Sequence, residues 1–359
     1  MKSRKHLSIL ILLLVLISLQ VLTQITDTTF YLTQMTMTAY YSLVIIGLCL
    51  VMGYAGQISI GHAGFFAIGG YTSAVLTTYN LASLLENGNR LVTFLAARGL
   101  LVQAKSLYGE TIVYVHPWPS CLTAILLTVV IAFLIGIPVL KLKGHYLAMA
   151  TLGFGIIIYR IVLATEIFGE ADGISSVPGF PLLPGLTING DFNNRMENYY
   201  IACAVLLIGF ILLQNLIDSR VGRALRAIHG SEEAANAMGV NTSRFKLYTF
   251  VLSAVFAALA GILLTHYNGG IGPSEAGIMK SVRYVAIVAI GGMANLWGAL
   301  IMAVLLNFLS LRGFFGSYDD AVFGAILIII MLFAPEGILR LHLWQRFKKK
   351  SGQTAEIKN

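Results

Sequence analysis

Long apolar runs recur from one end of the chain to the other, separated by short segments that hold most of the charge. A helix needs roughly 20 residues to cross the hydrocarbon core of a bilayer, and runs near that length predict transmembrane helices. They cover Leu7 to Leu22, Tyr31 to Met52, Phe65 to Tyr79, Cys121 to Leu140, Tyr146 to Thr165, Tyr199 to Leu216, Leu247 to His266 and Ala321 to Ala334. One further stretch, Val282 to Leu309, is interrupted by Gly291-Gly292-Met293-Ala294-Asn295-Leu296-Trp297-Gly298. It is long for one span and short for two. The expected fold is an all-α, polytopic transmembrane helix bundle with broken Gly-rich segments. It has about ten spans if the interrupted stretch is a short pair, and eight or nine otherwise.

Composition supports the same class: 57% of residues are hydrophobic and 11% charged, whereas soluble domains are about 25% charged. Residues 1–340 are expected to form one transmembrane domain, followed by a basic tail over 341–359. The start of the chain, with Lys2, Arg4 and Lys5 before a Leu/Ile/Val run, also resembles a secretory signal. The run ends in Leu-Thr-Gln-Ile-Thr-Asp without an A-x-A-like site and exceeds the roughly 7–15 residues of a signal core. A first transmembrane helix is expected instead. Cys49, Cys121 and Cys203 all lie in apolar runs with no CxxC pair, so they read as buried apolar residues and no metal site is expected.

Charge adds orientation. The net charge of +8 is not gathered into a basic stripe interleaved with aromatics, so nucleic acid is not an expected partner, and membrane lipid is. Lys and Arg favour short cytoplasmic loops. With the N-terminus inside, Lys141 and Lys143, the Arg220 to Lys246 cluster and the tail from Arg340 to Lys358 all fall inside. The acidic loop Glu166 to Asn198 falls outside. So does the excursion over 81–119, although Arg90, Arg98 and Lys105 make it mildly basic. Its apolar residues suit either an amphipathic surface helix or, the favoured reading, a hairpin capping the bundle.

Three features bear on function. First, Gly53 to Tyr71 holds Gly53, Gly56, Gly61, Gly64, Gly69 and Gly70 between two apolar runs. Each interior Gly costs a helix about 1 kcal/mol relative to Ala, and irregular backbone at membrane depth persists only where protein buries it or water lines it. The tract is either a translocation wall or a site of tight helix packing. A second interrupted stretch, Gly269 to Gly298, lies in the other half of the chain, and such pairs often flank a midplane site. Second, His62, Arg160 and His266 are ionisable groups in or beside spans, which marks them as functional candidates. Arg160 alternatively snorkels to the headgroups, and the histidines alternatively serve as satisfied structural groups. Third, the loop 218–246 contains Ser231-Glu232-Glu233-Ala234-Ala235-Asn236-Ala237-Met238-Gly239. Ser231 suits an N-cap, the glutamates suit the positive end of a helix dipole, and Gly239 suits a C′ stop. A short surface helix is expected, with Ala234, Ala235 and Ala237 allowing another protein to approach closely.

Glu-Ala-Ala-x-x-x-Gly on a cytoplasmic loop resembles the element by which ABC importer permeases engage their ATPases. Together with Gly53 to Tyr71, Tyr-Leu-Ala-Met-Ala-Thr-Leu-Gly-Phe-Gly at 146–155 and Ala334-Pro335-Glu336-Gly337-Ile338, it makes the chain resemble the M-type permease of branched-chain amino acid ABC importers. The resemblance covers nearly the whole chain. It implies a second homologous permease subunit, two cytoplasmic ATPase subunits and an extracytoplasmic substrate-binding protein. It also implies an inner-membrane location, with Glu233, Ala234, Ala235 and Gly239 in the ATPase-coupling helix. The chain departs from the pattern at Ile156, where an acidic residue is common, and in the length of its 81–119 excursion. Relatives of the same plan import urea, short amides or other amino acids. ATP would be used by the partner subunits, because the chain contains no G-x-x-x-x-G-K-[ST] loop; no cofactor or catalytic residue is expected here. Two other classes compete: an ion-coupled secondary transporter using Arg160 or Glu166, and an intramembrane enzyme using Ser59 and His62.

Overall fold

The computed structural model describes residues 2–105, 111–183, 185–314 and 316–333. The Ala334 to Ile338 motif and the basic tail over 341–359 lie outside them. The described helices are α1 (Lys2–Ile25), α2 (Phe30–Cys49), α3 (His62–Thr78), α4 (Ala82–Glu86), α5 (Arg90–Ala97), α6 (Pro117–Val139) and α7 (His145–Ala164). After them come α8 (Arg195–Asp218), α9 (Arg220–Gly230), α10 (Glu232–Ala237), α11 (Thr242–Asn268), α12 (Ile278–Gly291), α13 (Leu296–Leu311) and α14 (Asp319–Phe333).

Among the described residues, five runs are long and apolar enough to cross a membrane: Phe30–Tyr54, Pro117–Val139, His145–Ala164, Phe192–Asp218 and Thr242–Asn268. The interrupted stretch is a helical hairpin. Its arms, α12 and α13, have 14 and 16 residues, or about 21 and 24 Å at 1.5 Å per residue, each short of the roughly 30 Å core. Asn295 starts the second arm by accepting a hydrogen bond from the Gly298 N–H at 3.1 Å.

Burial is inverted relative to a soluble bundle. Helices α2 and α11 are nearly enclosed, whereas α6 shows Leu122, Leu126, Val130, Leu134 and Ile137 outward. These recur every three or four residues, so they form one stripe of apolar surface. In water such a stripe promotes association; against acyl chains it is the solvent-facing side. The central contact is α3 against α11. It is built on small residues, because a Cβ on Gly69 would sit 2.6 Å from the Ala258 Cα, and one on Gly261 would overlap the Phe66 carbonyl. Without a hydrophobic force between helices in lipid, such backbone approach supplies the packing.

The excursion folds as two short helices followed by two paired strands. Helices α4 and α5 lead into a hairpin of β1 (Leu101–Lys105) and β2 (Thr111–Val115), paired from Leu101 with Val115 to Lys105 with Thr111. The loop between α7 and α8 carries β3 (Ile174–Ser175), β4 (Phe180–Leu183) and β5 (Leu186–Ile188). Here β4 pairs with β5, and β3 pairs with β6 (Gly270–Ile271), which follows α11. His266 fastens this end of the molecule. One ring nitrogen bonds the Ser73 hydroxyl at 2.8 Å, the other donates to the Pro178 carbonyl at 2.7 Å, and Ser73 reaches Ser120 at 3.2 Å. It is a satisfied structural histidine joining α3, α6, α11 and the loop.

Candidate functional site

The glycine tract breaks the backbone as its composition predicts. Helix α2 widens into a π-turn over Leu50–Tyr54, the chain runs without regular structure to Gly61, and α3 starts at His62. Gly56 adopts φ +68°, and a side chain there would also strike His229 on α9. The break lies deep. His62 bonds Ser253 at 2.7 Å, and Ser253 stands about 16 Å along α11 from Thr242, so α3 begins near the middle of its neighbour.

Backbone amides exposed by the break find side-chain partners, as membrane depth demands. The Ile60 N–H donates to the Thr151 hydroxyl at 3.0 Å, and the Ala63 N–H to the Ser281 hydroxyl at 3.1 Å. Ser59 lies 3.2 Å from the other His62 nitrogen, so the histidine is held between two serines and buried. Both heteroatoms of the Gln57 amide are buried there without a protein partner.

Most of the sequence-picked glycines converge on this locus. A Cβ on Gly53 would penetrate the Met293 carbonyl at the tip of the α12–α13 hairpin. One on Gly61 would meet the Thr151 carbonyl oxygen at 2.6 Å, and one on Gly64 the Phe154 ring at 3.2 Å. The Thr151 to Gly155 stretch of α7 is thus the surface on which the break rests. Arg160 stands apart, exposed on the outer face of α7.

The charged loop forms two capped helices. Ser219 accepts from the Val221 N–H at 3.1 Å to start α9, and Ser231 accepts from the Ala234 N–H at 3.2 Å to start α10. Gly239 closes α10 at φ +82°. Leu225 and Ile228 are buried on α9, while His229 abuts Gly56, so the loop is packed directly against the break. Lys246 on α11 pairs with Glu232 and anchors α10. Burial raises the Glu232 carboxyl, and the Lys246 and Thr242 hydrogen bonds outweigh it, leaving the pKa below its ordinary value. A depressed carboxylate contributes stability above its unfolded pKa, and that contribution is lost as pH falls through the folded one. The three alanines do not share a face. Ala235 is 4% exposed and packs into this chain, whereas Ala234 and Ala237 are exposed beside Glu233 and Met238.

A polar cluster missing from the sequence reading lies where α12 begins. Glu275 pairs with Lys280 at 2.9 Å, and the Tyr41 hydroxyl donates to the same carboxylate at 3.0 Å. Lys280 also lies 4.5 Å from the Tyr41 ring centroid. Tyr41 is near the middle of the 25-residue run Phe30–Tyr54. One helical turn on, Arg283 bonds Ser310 and Asp320, each at 2.9 Å, clamping α12, α13 and α14 together. The signal was present: three charges within nine residues beside a Gly-bounded apolar stretch. An apolar span beginning at Val282 excludes Glu275 and Lys280, whereas the helix begins at Ile278.

The chain matches the family described as branched-chain amino acid transport system / permease component over residues 30–331. It is 31% identical over 339 residues to the high-affinity branched-chain amino acid transport system permease protein LivM of Salmonella typhimurium, covering 89% of this chain and 72% of that one. Against LivM of Escherichia coli the identity is 30% over 325 residues, 85% of this chain and 68% of the relative. Against the permease protein LivH of Salmonella typhimurium it is 29% over 314 residues, 85% and 92%. No solved structure matches it.

Proposed function

Because this chain belongs to the branched-chain amino acid transport permease family, we propose that it is the membrane-spanning subunit of an ATP-driven importer for branched-chain amino acids. A second permease of similar fold would complete the path, an extracytoplasmic protein would deliver the cargo, and two cytoplasmic ATPases would supply the energy. The observation that carries the coupling is the contact of His229 with Gly56: a surface helix pair rests directly on the broken membrane segment. Motion imposed on α9 and α10 therefore reaches the backbone at Gly53 to Gly61 without crossing a flexible linker. Glu233, Ala234 and Gly239 lie at the exposed side of that pair, and the glycine tract is the element such motion would shift.

The test is reconstitution of the chain with a second permease, ATPase subunits and a binding protein in proteoliposomes. Uptake of leucine, isoleucine or valine should require both ATP and the binding protein. Uptake driven by an ion gradient without ATP would overturn the importer reading in favour of a secondary transporter.

Orientation has its own test. We place the N-terminus, the 141–143 turn and α9–α10 in the cytoplasm, and α4–α5 and the 166–198 loop outside, following the basic residues. The native cysteines Cys49, Cys121 and Cys203 are buried, so a background lacking them is clean. Cysteines at the exposed positions Asn87 and Asp172 should react with an impermeant maleimide in cells whose outer barrier is opened, with the inner membrane intact. Reaction of either one only after lysis would reverse that part of the topology.

A further inference from the structure

Inside the bundle, the start of α12 leaves a set of polar groups unspent. Glu275 uses Oε1 for Lys280 and Tyr41, while its Oε2 is buried with no partner. Lys280 has three N–H donors and spends two of them, on Glu275 at 2.9 Å and Tyr41 at 3.1 Å, leaving one. The Tyr284 hydroxyl is buried without a partner on a side chain 1% exposed, and its ring lies 6.4 Å from that of Tyr41. Buried polar groups are bonded in the great majority of cases, and those left over call for an explanation. At membrane depth the call is stronger, since an ionised pair there is costly and rare.

The unspent groups have a definite chemistry: one anionic acceptor beside one cationic and one hydroxyl donor. An α-amino acid presents the complement, an ammonium with donors only and a carboxylate with acceptors only. The fold adds to this. Helix α12 begins at Ile278 after Gly277, so Glu275 and Lys280 flank its positive dipole end, where a carboxylate is favoured. Its start touches the start of α3 through Ser281 and Ala63. The two interrupted halves of the chain meet here. Glu275 and Lys280 are 20% and 24% exposed, so the pair sits at the edge of the buried core, while the free Oε2 itself is covered.

We propose that Glu275, Lys280 and Tyr284 form a transient station for the amino acid's charged end, with Glu275 Oε2 taking the ammonium and Lys280 and the Tyr284 hydroxyl taking the carboxylate. The proposal rests on the importer reading above and names the element of the path that recognises the zwitterion. The cavity lined by Tyr41, Lys280, Arg283, Tyr284 and Asn307 holds about 20 Å³, enough for one water. The station is closed in this conformation, and α12 must part from α2 and α13 to admit cargo.

Tyr284→Phe separates recognition from structure, because it removes a hydroxyl that bonds nothing in the protein. In the complete reconstituted importer, radiolabelled leucine uptake should fall about fivefold or more, with the unfolding midpoint and the subunit ratio of the complex kept. The double variant Glu275→Gln with Lys280→Met removes both charges together, so that neither is left buried and unpaired; its uptake should fall at least tenfold. Wild-type uptake by Tyr284→Phe, or uptake within twofold by the double variant, overturns the station while leaving the importer intact. A wild-type complex that moves no branched-chain amino acid overturns the importer reading and this proposal with it.

Discussion

Replacing Gly53 by alanine should reduce leucine uptake in the reconstituted complex to below about a tenth of wild type and lower the unfolding midpoint of the purified chain. Overpacking a core typically costs about 1–3 kcal/mol because side chains shift to relieve it. At Gly53 the obstacle is the Met293 carbonyl, part of the backbone at the tip of the α12–α13 hairpin. That tip is held by Gly292 at φ +98° and by the Asn295 cap, so it has no side-chain rotation by which to yield. The added methyl therefore separates α2 from the hairpin or bends the π-turn, and the effect should exceed about 3 kcal/mol. Gly153→Ala is the control. It places the same methyl on α7 with nothing within 4 Å, and Ala favours a helix over Gly by about 1 kcal/mol. Thermal unfolding and uptake for both variants settle the matter: equal behaviour would mean that the Gly53 contact is not a constraint on the working protein.

The second large effect separates two neighbouring alanines on α10. Ala234→Trp should abolish binding-protein-stimulated ATP hydrolysis and uptake in the reconstituted complex while changing the stability of the isolated chain by no more than about 0.5 kcal/mol, as surface substitutions do. Ala234 is exposed, and an indole there blocks close approach of a partner. Ala235→Trp acts through the chain itself. With 4% exposure against the core beneath α9 and α10, it should destabilise by about 1–3 kcal/mol before any partner is present. Gly239→Val gives an intermediate result, since a β-branched residue at φ +82° forfeits the left-handed stop. Measuring stability and stimulated hydrolysis on the same preparations distinguishes them. If Ala234→Trp keeps full stimulation, α10 is not the surface that meets the ATPase.

The contrast between those alanines shows where sequence reading stops. Caps at Ser231 and Gly239 are local chemistry and can be read from nine consecutive residues. Which alanine turns inward depends on α9 and α11, which lie beside α10 only after the chain has folded. Arg160 follows the same rule: a charge inside an apolar run marks a candidate, but its direction is set by how α7 packs, and α7 packs through Thr151, Phe154 and Gly155, leaving Arg160 outside. His62 and His266 look alike as lone ionisable groups in the sequence. Folding places each between partners drawn from distant helices, Ser253 for one and Ser73 for the other.

Membrane class, most helix positions, the break after α2, the interruption at Gly291 to Gly298 and the capped helix in the charged loop were legible along the chain. They rest on apolar run length, glycine density and capping residues, which act over one to five turns of backbone. The junction of the two interrupted halves was not legible. Tyr41, Glu275 and Lys280 meet across more than two hundred residues, and Gly53 meets Met293 across a similar distance. No periodicity reports such encounters, because they arise when helices with little polar surface choose partners by shape and by the few polar groups that lipid will not satisfy.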